Sequence, residues 1–512
     1  MKVAFYTLGC KLNQAETESL AGQFGEAGFQ LTPPDDVADI YIANTCTVTH
    51  IADRKSRHWL RLARRRNPEA FIIATGCYAQ RAPQELAPIA DLVLDNEEKE
   101  RLLEIVEGLS LPNPPFGIGS TSLSHRDIPL RHCEPFAFCH SEGEKRPKNL
   151  AQDKLREAIP HSYNTRVRSL IKIQDGCRSP CTYCIVPRVR SQEYSLPASQ
   201  IIEEIKEKVA MGYKEVVLTG TKVGCYKDAV LSRSPEQSEG TSGGPDAGLG
   251  DLVQRILRDT GIERLRLSSL QPQEISPEFL ALWQDAFSSR SPEPFASCHP
   301  ERSEGSPKNL AQDKLREGTS GGSRLCRHFH LALQSGSDSV LQRMKRRYSL
   351  GDYRGAIGLI REAIPGVAIT TDIMVGFPGE SDEEFEQSYF FCQQAGFANI
   401  HVFPFSPRPG TAAARMPNQV KEEVKKERSR KMLELSWISR RNFEERFLGQ
   451  TMLVLWEKET NPGSGIYSGL TDNYIRVFVQ SQKPLTNKIA PVKLAGFHKQ
   501  GMWGELVNEN PS

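Results

Sequence analysis

The chain has 512 residues, 38% hydrophobic and 25% charged, which is enough apolar surface for about three domains and excludes a chain disordered throughout. The formal net charge is +2, so overall charge does not announce a nucleic acid, and any such surface must be a local patch. No run of about 18 apolar residues occurs, which excludes a transmembrane helix, and the first residues lack the apolar stretch and cleavage site of a signal peptide; the chain is expected to be cytoplasmic.

Residues 1–108 alternate two patterns. Apolar runs at 3–8, 39–44 and 71–75 read as strands, and residues 14–28 and 50–66 between them as helices, which predicts a parallel α/β sheet. Residues 109–165 read as a linker, punctuated early by Pro112, Pro114 and Pro115. Residues 166–417 return to α/β alternation. Strands are predicted at 168–173, 214–219, 264–269, 328–333, 367–374 and 399–405, with helices such as 197–211 and 381–395 between them, suiting an open or partial six-stranded β/α barrel. Residues 418–448 form a charged helical connector whose cations interleave with six glutamates, the pattern of a solvated, ion-paired helix. In 449–507, short strands such as 451–456 and 474–479 predict a small all-β domain.

One segment is repeated. Lys148-Asn149-Leu150-Ala151-Gln152-Asp153-Lys154-Leu155-Arg156-Glu157 recurs identically at 308–317, and a related Ser/Gly-rich stretch lies at 233–244. Two copies cannot stack as a solenoid. They read as inserted coding repeats forming disordered surface loops at about 133–160, 229–248 and 288–323; Cys139 and Cys298 travel with the repeat.

Twelve cysteines in a chain without a secretion signal point to metal or redox chemistry rather than a disulfide framework. Three stand in Asp175-Gly176-Cys177-Arg178-Ser179-Pro180-Cys181-Thr182-Tyr183-Cys184, a C-x3-C-x2-C spacing just after the apolar run 169–173. A tight loop at a strand end can fold three thiolates around one iron-sulfur cube, which normally takes four ligands, leaving one iron open to a small molecule. The alternative is a zinc knuckle with a fourth ligand from elsewhere, although zinc sites favour paired C-x2-C units. A second set is dispersed. Gly9-Cys10, Thr45-Cys46 and Gly76-Cys77 each stand at the C-terminal end of a predicted parallel strand, the edge where open α/β sheets place their sites. Three thiols there can converge on a second cluster; three unrelated core cysteines are the alternative.

The cysteine loop in its strand context resembles the radical S-adenosylmethionine (SAM) superfamily over the central part of the chain. Together with Cys10, Cys46, Cys77 and the small β domain, nearly the whole chain apart from the inserts resembles the methylthiotransferase family. Further matching segments, in order, are Arg266-Leu267-Ser268-Ser269-Leu270-Gln271-Pro272, His330-Leu331-Ala332-Leu333-Gln334-Ser335-Gly336, Asp372-Ile373-Met374-Val375-Gly376-Phe377-Pro378-Gly379-Glu380 and the stretch from His401 to Thr411. Asn44-Thr45-Cys46-Thr47-Val48-Thr49, Thr75-Gly76-Cys77-Tyr78-Ala79-Gln80 and Leu218-Thr219-Gly220-Thr221 resemble the branch that modifies threonylcarbamoyladenosine at position 37 of tRNA. The isopentenyladenosine branch usually has Gln-Asn, and the ribosomal-protein branch Gln-Asp, where Thr221-Lys222 stand.

The resemblance implies a central partial (β/α)6 radical SAM barrel, a C-terminal OB-like barrel of the TRAM type at 449–507 that binds RNA, and two [4Fe-4S] clusters. Carried over residue by residue, Cys177, Cys181 and Cys184 hold the SAM-bound cluster, and Cys10, Cys46 and Cys77 the auxiliary, sulfur-supplying one. Tyr183, Thr219, Gly220 and Gln334 are assigned to SAM; a turn or packing role for Gly220 is the alternative. One SAM methylates sulfur at the auxiliary cluster. A second yields a deoxyadenosyl radical that removes hydrogen from carbon 2 of the adenine ring, which then receives the methylthio group. The implied partners are a tRNA, an electron donor such as flavodoxin or ferredoxin, and an unknown sulfur donor, with no membrane. The alternatives are the ribosomal-protein or isopentenyladenosine-tRNA activity, or a non-catalytic iron-sulfur RNA-binding protein.

For RNA contacts, residues 54–66 hold Arg54, Lys55, Arg57, Arg61, Arg64, Arg65 and Arg66 with no acidic residue among them. The run suits phosphates or, equally, a solvated helix face. Tyr467, Tyr474, Phe478 and Phe497 of the β domain suit either base stacking or a core.

Overall fold

A computed structural model describes residues 1–109, 167–228, 248–288 and 324–507. The repeat inserts lie outside those residues except for their edges Gly248 and Ser288, and so do Cys133, Cys139 and Cys298 and nearly all of the linker. The chain forms two compact units: Met1–Thr165 with Asp175–Glu193 and Ser406–Met416, and Arg166–Gln174 with Tyr194–Phe405 and Pro417–Ser512.

The first unit is built on strands β1 (Lys2–Thr7), β2 (Gln30–Thr32), β3 (Ile40–Thr45), β4 (Phe71–Gly76) and β5 (Leu92–Val93). They form one parallel sheet in the order β2-β1-β3-β4-β5. Both faces are covered, so central β3 is buried throughout and reads as a continuous apolar run rather than an alternating one. On one face Val3, Phe5, Ile40, Ile42 and Ile73 pack against Leu20 and Phe24 of helix Lys11–Glu26. On the other, Ala4, Tyr41, Ala43 and Ile72 meet Trp59, Leu60 and Ala63 of helix His50–Arg66. Thr49 starts the latter helix, its side chain accepting the Ala52 N–H at 3.2 Å. The two edge strands β2 and β5 are additions to the sequence prediction, too short to carry a periodic signal.

In the second unit, β6 (Arg168–Asp175), β7 (Tyr194–Ser195), β8 (Glu215–Gly220) and β9 (Arg264–Leu267) pair in the order β7-β6-β8-β9. Strands β10 (Ser269–Leu270), β11 (His328–Leu331), β12 (Ala368–Val375) and β13 (Asn399–Pro404) follow as a second sheet in that order. The pairs β6–β8–β9 and β11–β12–β13 are parallel and run in chain order, which makes a partial (β/α)6 barrel. Helices Ala198–Ala210, Leu249–Asp259, Leu350–Ala363 and Asp382–Ala395 bury one face on these strands in a single apolar core.

Helix Glu422–Glu445 departs from a solvated connector. Met432 and Leu435 are buried in the barrel core, Lys425 donates to the Phe405 carbonyl at 3.3 Å, and Arg428 pairs with buried Glu380 at 2.7 Å. Two cations counted in the sequence as solvent-facing are therefore internal, while Lys431 keeps an outer pair with Glu427.

Strands β14 (Thr451–Glu459), β15 (Ile466–Thr471), β16 (Arg476–Gln480), β17 (Ile489–His498) and β18 (Gly501–Leu506) form a closed barrel in the order β14-β15-β16-β18-β17. Arginines from the barrel strands hold it by its main chain. Arg264 donates to the carbonyls of Leu470 and Leu453, and Arg266 to those of Asp472 and Thr471.

Candidate functional site

The parallel register aligns the ends of β1, β3 and β4, pairing Thr7 with Asn44 and Thr45 with Gly76. Cys46 and Cys77 follow their strands directly and Cys10 follows β1 after Leu8 and Gly9, so the three dispersed thiols come to one sheet edge. Gly9 lets two of their loops touch: a Cβ there would lie 2.8 Å from the Cβ of Cys46 and 3.0 Å from its Sγ, and its φ of +121° disfavours any side chain. Buried Asn13 ties the loops together, donating to the carbonyls of Leu8 at 2.9 Å and Thr45 at 3.2 Å. Cys10 is exposed, whereas Cys46 and Cys77 are buried.

The three thiols are close enough for charge on Cys77 to raise those of Cys10 and Cys46. Burial, and then the neighbouring Cys77, push the Cys46 thiol up to about 12. Buried thiolates carry that cost until cationic iron neutralises it, so the donor set fits a group that takes thiolates. Among the described residues no three His, Cys, Asp or Glu close tightly enough to hold a single metal ion. Thiolates on a cube bind separate irons and stand further apart. Iodoacetamide at about pH 8 is expected to label exposed Cys10 of the iron-free chain well before buried Cys46. Peptide mass spectrometry reads the two rates, and equal labelling would contradict the burial of Cys46.

The C-x3-C-x2-C loop belongs to the same compact unit. Its thiols are half-buried, open enough to meet a cofactor. The loop is held by its main chain: Cys177 N–H donates to the Arg190 carbonyl at 3.2 Å, Cys184 N–H to that of Cys181 at 3.1 Å, and Ala413 N–H to that of Thr182 at 2.8 Å. Ser179 N–H points at the Cys177 sulfur at 3.4 Å, the kind of donor that cluster thiolates accept. Ile185 and Val189, just beyond the loop, pack against Cys77.

Sequence reasoning missed the groups between these cysteines. The Arg190 guanidinium donates through Nε to the Cys77 sulfur at 3.4 Å, to both Glu16 oxygens at 2.8 and 2.9 Å, to Asp175 at 2.6 Å and to Asn13 at 3.0 Å. Lys99 donates to one of the same Glu16 oxygens, Oε2, at 2.6 Å. The one available signal was Asn13 and Glu16, three apart on the first helix and so on one face, directly after Cys10.

In the second unit, Thr219 and Gly220 end β8, and Gln334 lies beyond β11. The chain packs closely at Gly220, where a Cβ would stand 2.7 Å from the Gln174 carbonyl oxygen. Gln174 in turn accepts the Lys222 N–H at 2.7 Å. Gln334 is 7% exposed, sits at φ +71°, and its Oε1 has no hydrogen-bond partner among the described residues.

The basic helix divides its charges. Arg57 pairs with Glu85, Arg64 with Asp91 and Arg66 with Asp35. Arg54, Arg61 and Arg65 are exposed on one face, with no ion pair among the described residues. Of the β-domain aromatics, Phe478 is buried, Tyr467 packs on the barrel core, and Tyr474 stacks on His328 at 4.4 Å. Only Phe497 of the four is exposed; Trp503 and, on the long helix, Trp437 join it as exposed rings, with Arg441 over both Trp437 and Phe497.

Comparison with known proteins bears on these sites. The model of an uncharacterized protein family, UPF0004, matches residues 2–95, and that of the radical SAM superfamily matches residues 171–265 and 307–392. Threonylcarbamoyladenosine tRNA methylthiotransferase MtaB of Bacillus subtilis is 31% identical over 99% of this chain and 97% of its own length. The protein of the same name from Aquifex aeolicus is 34% identical over 93% of this chain and 96% of its own length. A tRNA-2-methylthio-N(6)-dimethylallyladenosine synthase of Syntrophotalea carbinolica is 29% identical over 98% of this chain and all of its own length.

Proposed function

The chain belongs to the radical SAM methylthiotransferase family, in its threonylcarbamoyladenosine tRNA branch, and we propose that it adds a methylthio group to carbon 2 of N6-threonylcarbamoyladenosine at position 37 of tRNA. The observation that carries this reading is the gathering of Cys10, Cys46 and Cys77 at one sheet edge, in the compact unit that also contains the C-x3-C-x2-C loop. When bound, two [4Fe-4S] clusters and SAM supply the electron, the hydrogen-abstracting radical and the methylated sulfur.

The protein's share is to bind, orient and exclude water. Cys177, Cys181 and Cys184 hold one cluster and leave its fourth iron to SAM. Cys10, Cys46 and Cys77 hold the other. Tyr183, Thr219, Gly220 and Gln334 orient SAM, and the orphan Oε1 of Gln334 is an acceptor for its amino or hydroxyl hydrogens. Arg54, Arg61 and Arg65 take tRNA phosphates, and the TRAM-like C-terminal barrel offers Phe497 and Trp503 to unpaired bases. A small cytoplasmic electron carrier such as flavodoxin or ferredoxin reduces the SAM-bound cluster.

The test uses anaerobically reconstituted protein. Iron and acid-labile sulfide are expected at about eight per chain, falling to about four in the Cys177/Cys181/Cys184→Ala variant. With SAM, dithionite and tRNA, nucleoside mass spectrometry is expected to show the 2-methylthio product on threonylcarbamoyladenosine. About four irons in the parent and none in the variant would reduce the chain to a generic radical SAM enzyme. Product on dimethylallyladenosine alone would move the substrate to the other branch.

A further inference from the structure

We propose that Arg190 is a positioning residue that poises the auxiliary cluster through its Nε–H bond to the Cys77 sulfur, while tying that sulfur to the loop of the SAM-bound cluster. The inference rests on the reading above that Cys10, Cys46 and Cys77 hold an iron-sulfur cluster.

The geometry leaves Nε little freedom. The fork of the guanidinium is clamped by both Glu16 oxygens, at 2.8 and 2.9 Å, and this clamp sets the ring of donors in one plane and one direction. Nε is then the donor that faces Cys77 at 3.4 Å. Glu16 is itself fixed by Lys99 at 2.6 Å, so the clamp is a buried chain from Lys99 through Glu16 and Arg190 to Cys77. The Arg190 side chain is 4% exposed and that of Glu16 6%, so water does not compete for these donors.

The same residue reaches the other cysteine loop twice. Its guanidinium donates to Asp175 at 2.6 Å, and its carbonyl accepts the Cys177 N–H at 3.2 Å. Asp175 accepts the Gly176 N–H at 2.7 Å immediately before Cys177. A displacement of Arg190 is therefore felt by ligands of both clusters.

Charge shows what the contact does. Arg190 and Lys99 carry two positive charges against the two carboxylates of Glu16 and Asp175, so the buried set is balanced before any cluster charge is added. An arginine guanidinium stays charged in a protein. The Nε–H bond therefore acts on the thiolate as a permanent charge-assisted donor. Hydrogen bonds to cluster sulfurs draw electron density from them and favour the reduced state.

The experiment uses the full chain carrying Cys177/Cys181/Cys184→Ala, which isolates the auxiliary cluster. Redox titration followed by electron paramagnetic resonance compares it with the same chain carrying Arg190→Gln. Arg190→Gln is expected to disfavour reduction about tenfold at a fixed potential, a drop of about 59 mV for a one-electron couple. In the parent triple variant, arginine labelled with nitrogen-15 is expected to show hyperfine coupling to the reduced cluster. That second measurement decides the matter if Arg190→Gln fails to fold. Full iron loading with neither a potential shift nor a nitrogen coupling overturns the role of Arg190 alone. A triple variant that binds no iron overturns the auxiliary-cluster reading and this inference with it.

Discussion

Gly176→Ala is expected to abolish the SAM-bound cluster and leave the auxiliary one, so that iron falls from about eight to about four per chain. Gly176 stands at φ +75°, in the left-handed region where an L side chain is strained. The larger obstacle is steric. A Cβ at this position would overlap the Gln192 carbonyl oxygen and stand 2.9 Å from the Glu193 Cα, so backbone meets backbone with no flexible side chain to yield. Relief requires parting the strand end from the segment around Arg190–Gln192. That motion breaks the Cys177 N–H bond to the Arg190 carbonyl and tilts the first ligand of the cysteine loop away from the other two. Cys10, Cys46 and Cys77 lie on other loops, so their cluster is expected to keep its four irons, the shift of Arg190 reaching only the hydrogen bond to the Cys77 sulfur. The two variants Gly176→Ala and Cys177/Cys181/Cys184→Ala should thus agree in iron content and in the loss of the SAM-responsive electron paramagnetic resonance signal. About eight irons in Gly176→Ala would show that the loop tolerates the displacement and that its tightness is not what gathers the thiols.

The contrast between that loop and its surroundings shows what a sequence carries and what it does not. Cys177, Cys181 and Cys184 are legible because ligand spacing within one short loop is itself the signal. Cys10, Cys46 and Cys77 are legible one step later, because continuous apolar runs mark β1, β3 and β4 as buried parallel strands and the cysteines share a position after each. Arg190 and Glu16 are not. They are 174 positions apart, and each looks like an ordinary surface charge until the fold buries both. The same blindness explains helix Glu422–Glu445, where Lys425 and Arg428 turn inward onto the Phe405 carbonyl and Glu380 while the composition suggests a solvated rod. It also explains the β-domain aromatics. Phe478 is buried together with its neighbours Val477 and Val479 in β16, with no alternation to signal which ring faces out, and only Phe497 of the four expected rings emerges beside Arg441. Periodicity and ligand spacing are local. Charge burial is a property of partners, and partners are set by topology.

Glu215 is the clearest case of such a partner, and Glu215→Ala is expected to destabilise the second unit by about 3–5 kcal/mol. Its carboxylate accepts from Arg266 at 2.8 and 3.3 Å, with both side chains sealed from solvent at 0% and 1% exposure. Removing the acid leaves a buried guanidinium with only carbonyl partners, and an uncompensated buried charge is the costly part of breaking such a pair. The effect should spread, because Arg266 also holds the Asp472 and Thr471 carbonyls at the closed β barrel and lies over the Tyr474 ring at 4.9 Å. For the same reason an apolar pair at 215 and 266 should not restore stability, since the barrel carbonyls would lose their donor. Acid titrates the same interaction. Burial pushes the Glu215 carboxyl up, but Arg266 and Arg168 pull it further down, so that it lies below the ordinary carboxylate range. A carboxyl depressed in the folded state contributes stability above its unfolded value and loses it as pH falls through the folded one. The parent should therefore weaken on acidification below the ordinary carboxylate range, while Glu215→Gln should start weaker at neutral pH and fall less steeply. Urea unfolding midpoints from tryptophan fluorescence, taken across that range, read both effects. A midpoint for Glu215→Ala equal to the parent's would show that the buried pair only breaks even, and that the barrel is held by its apolar contacts alone.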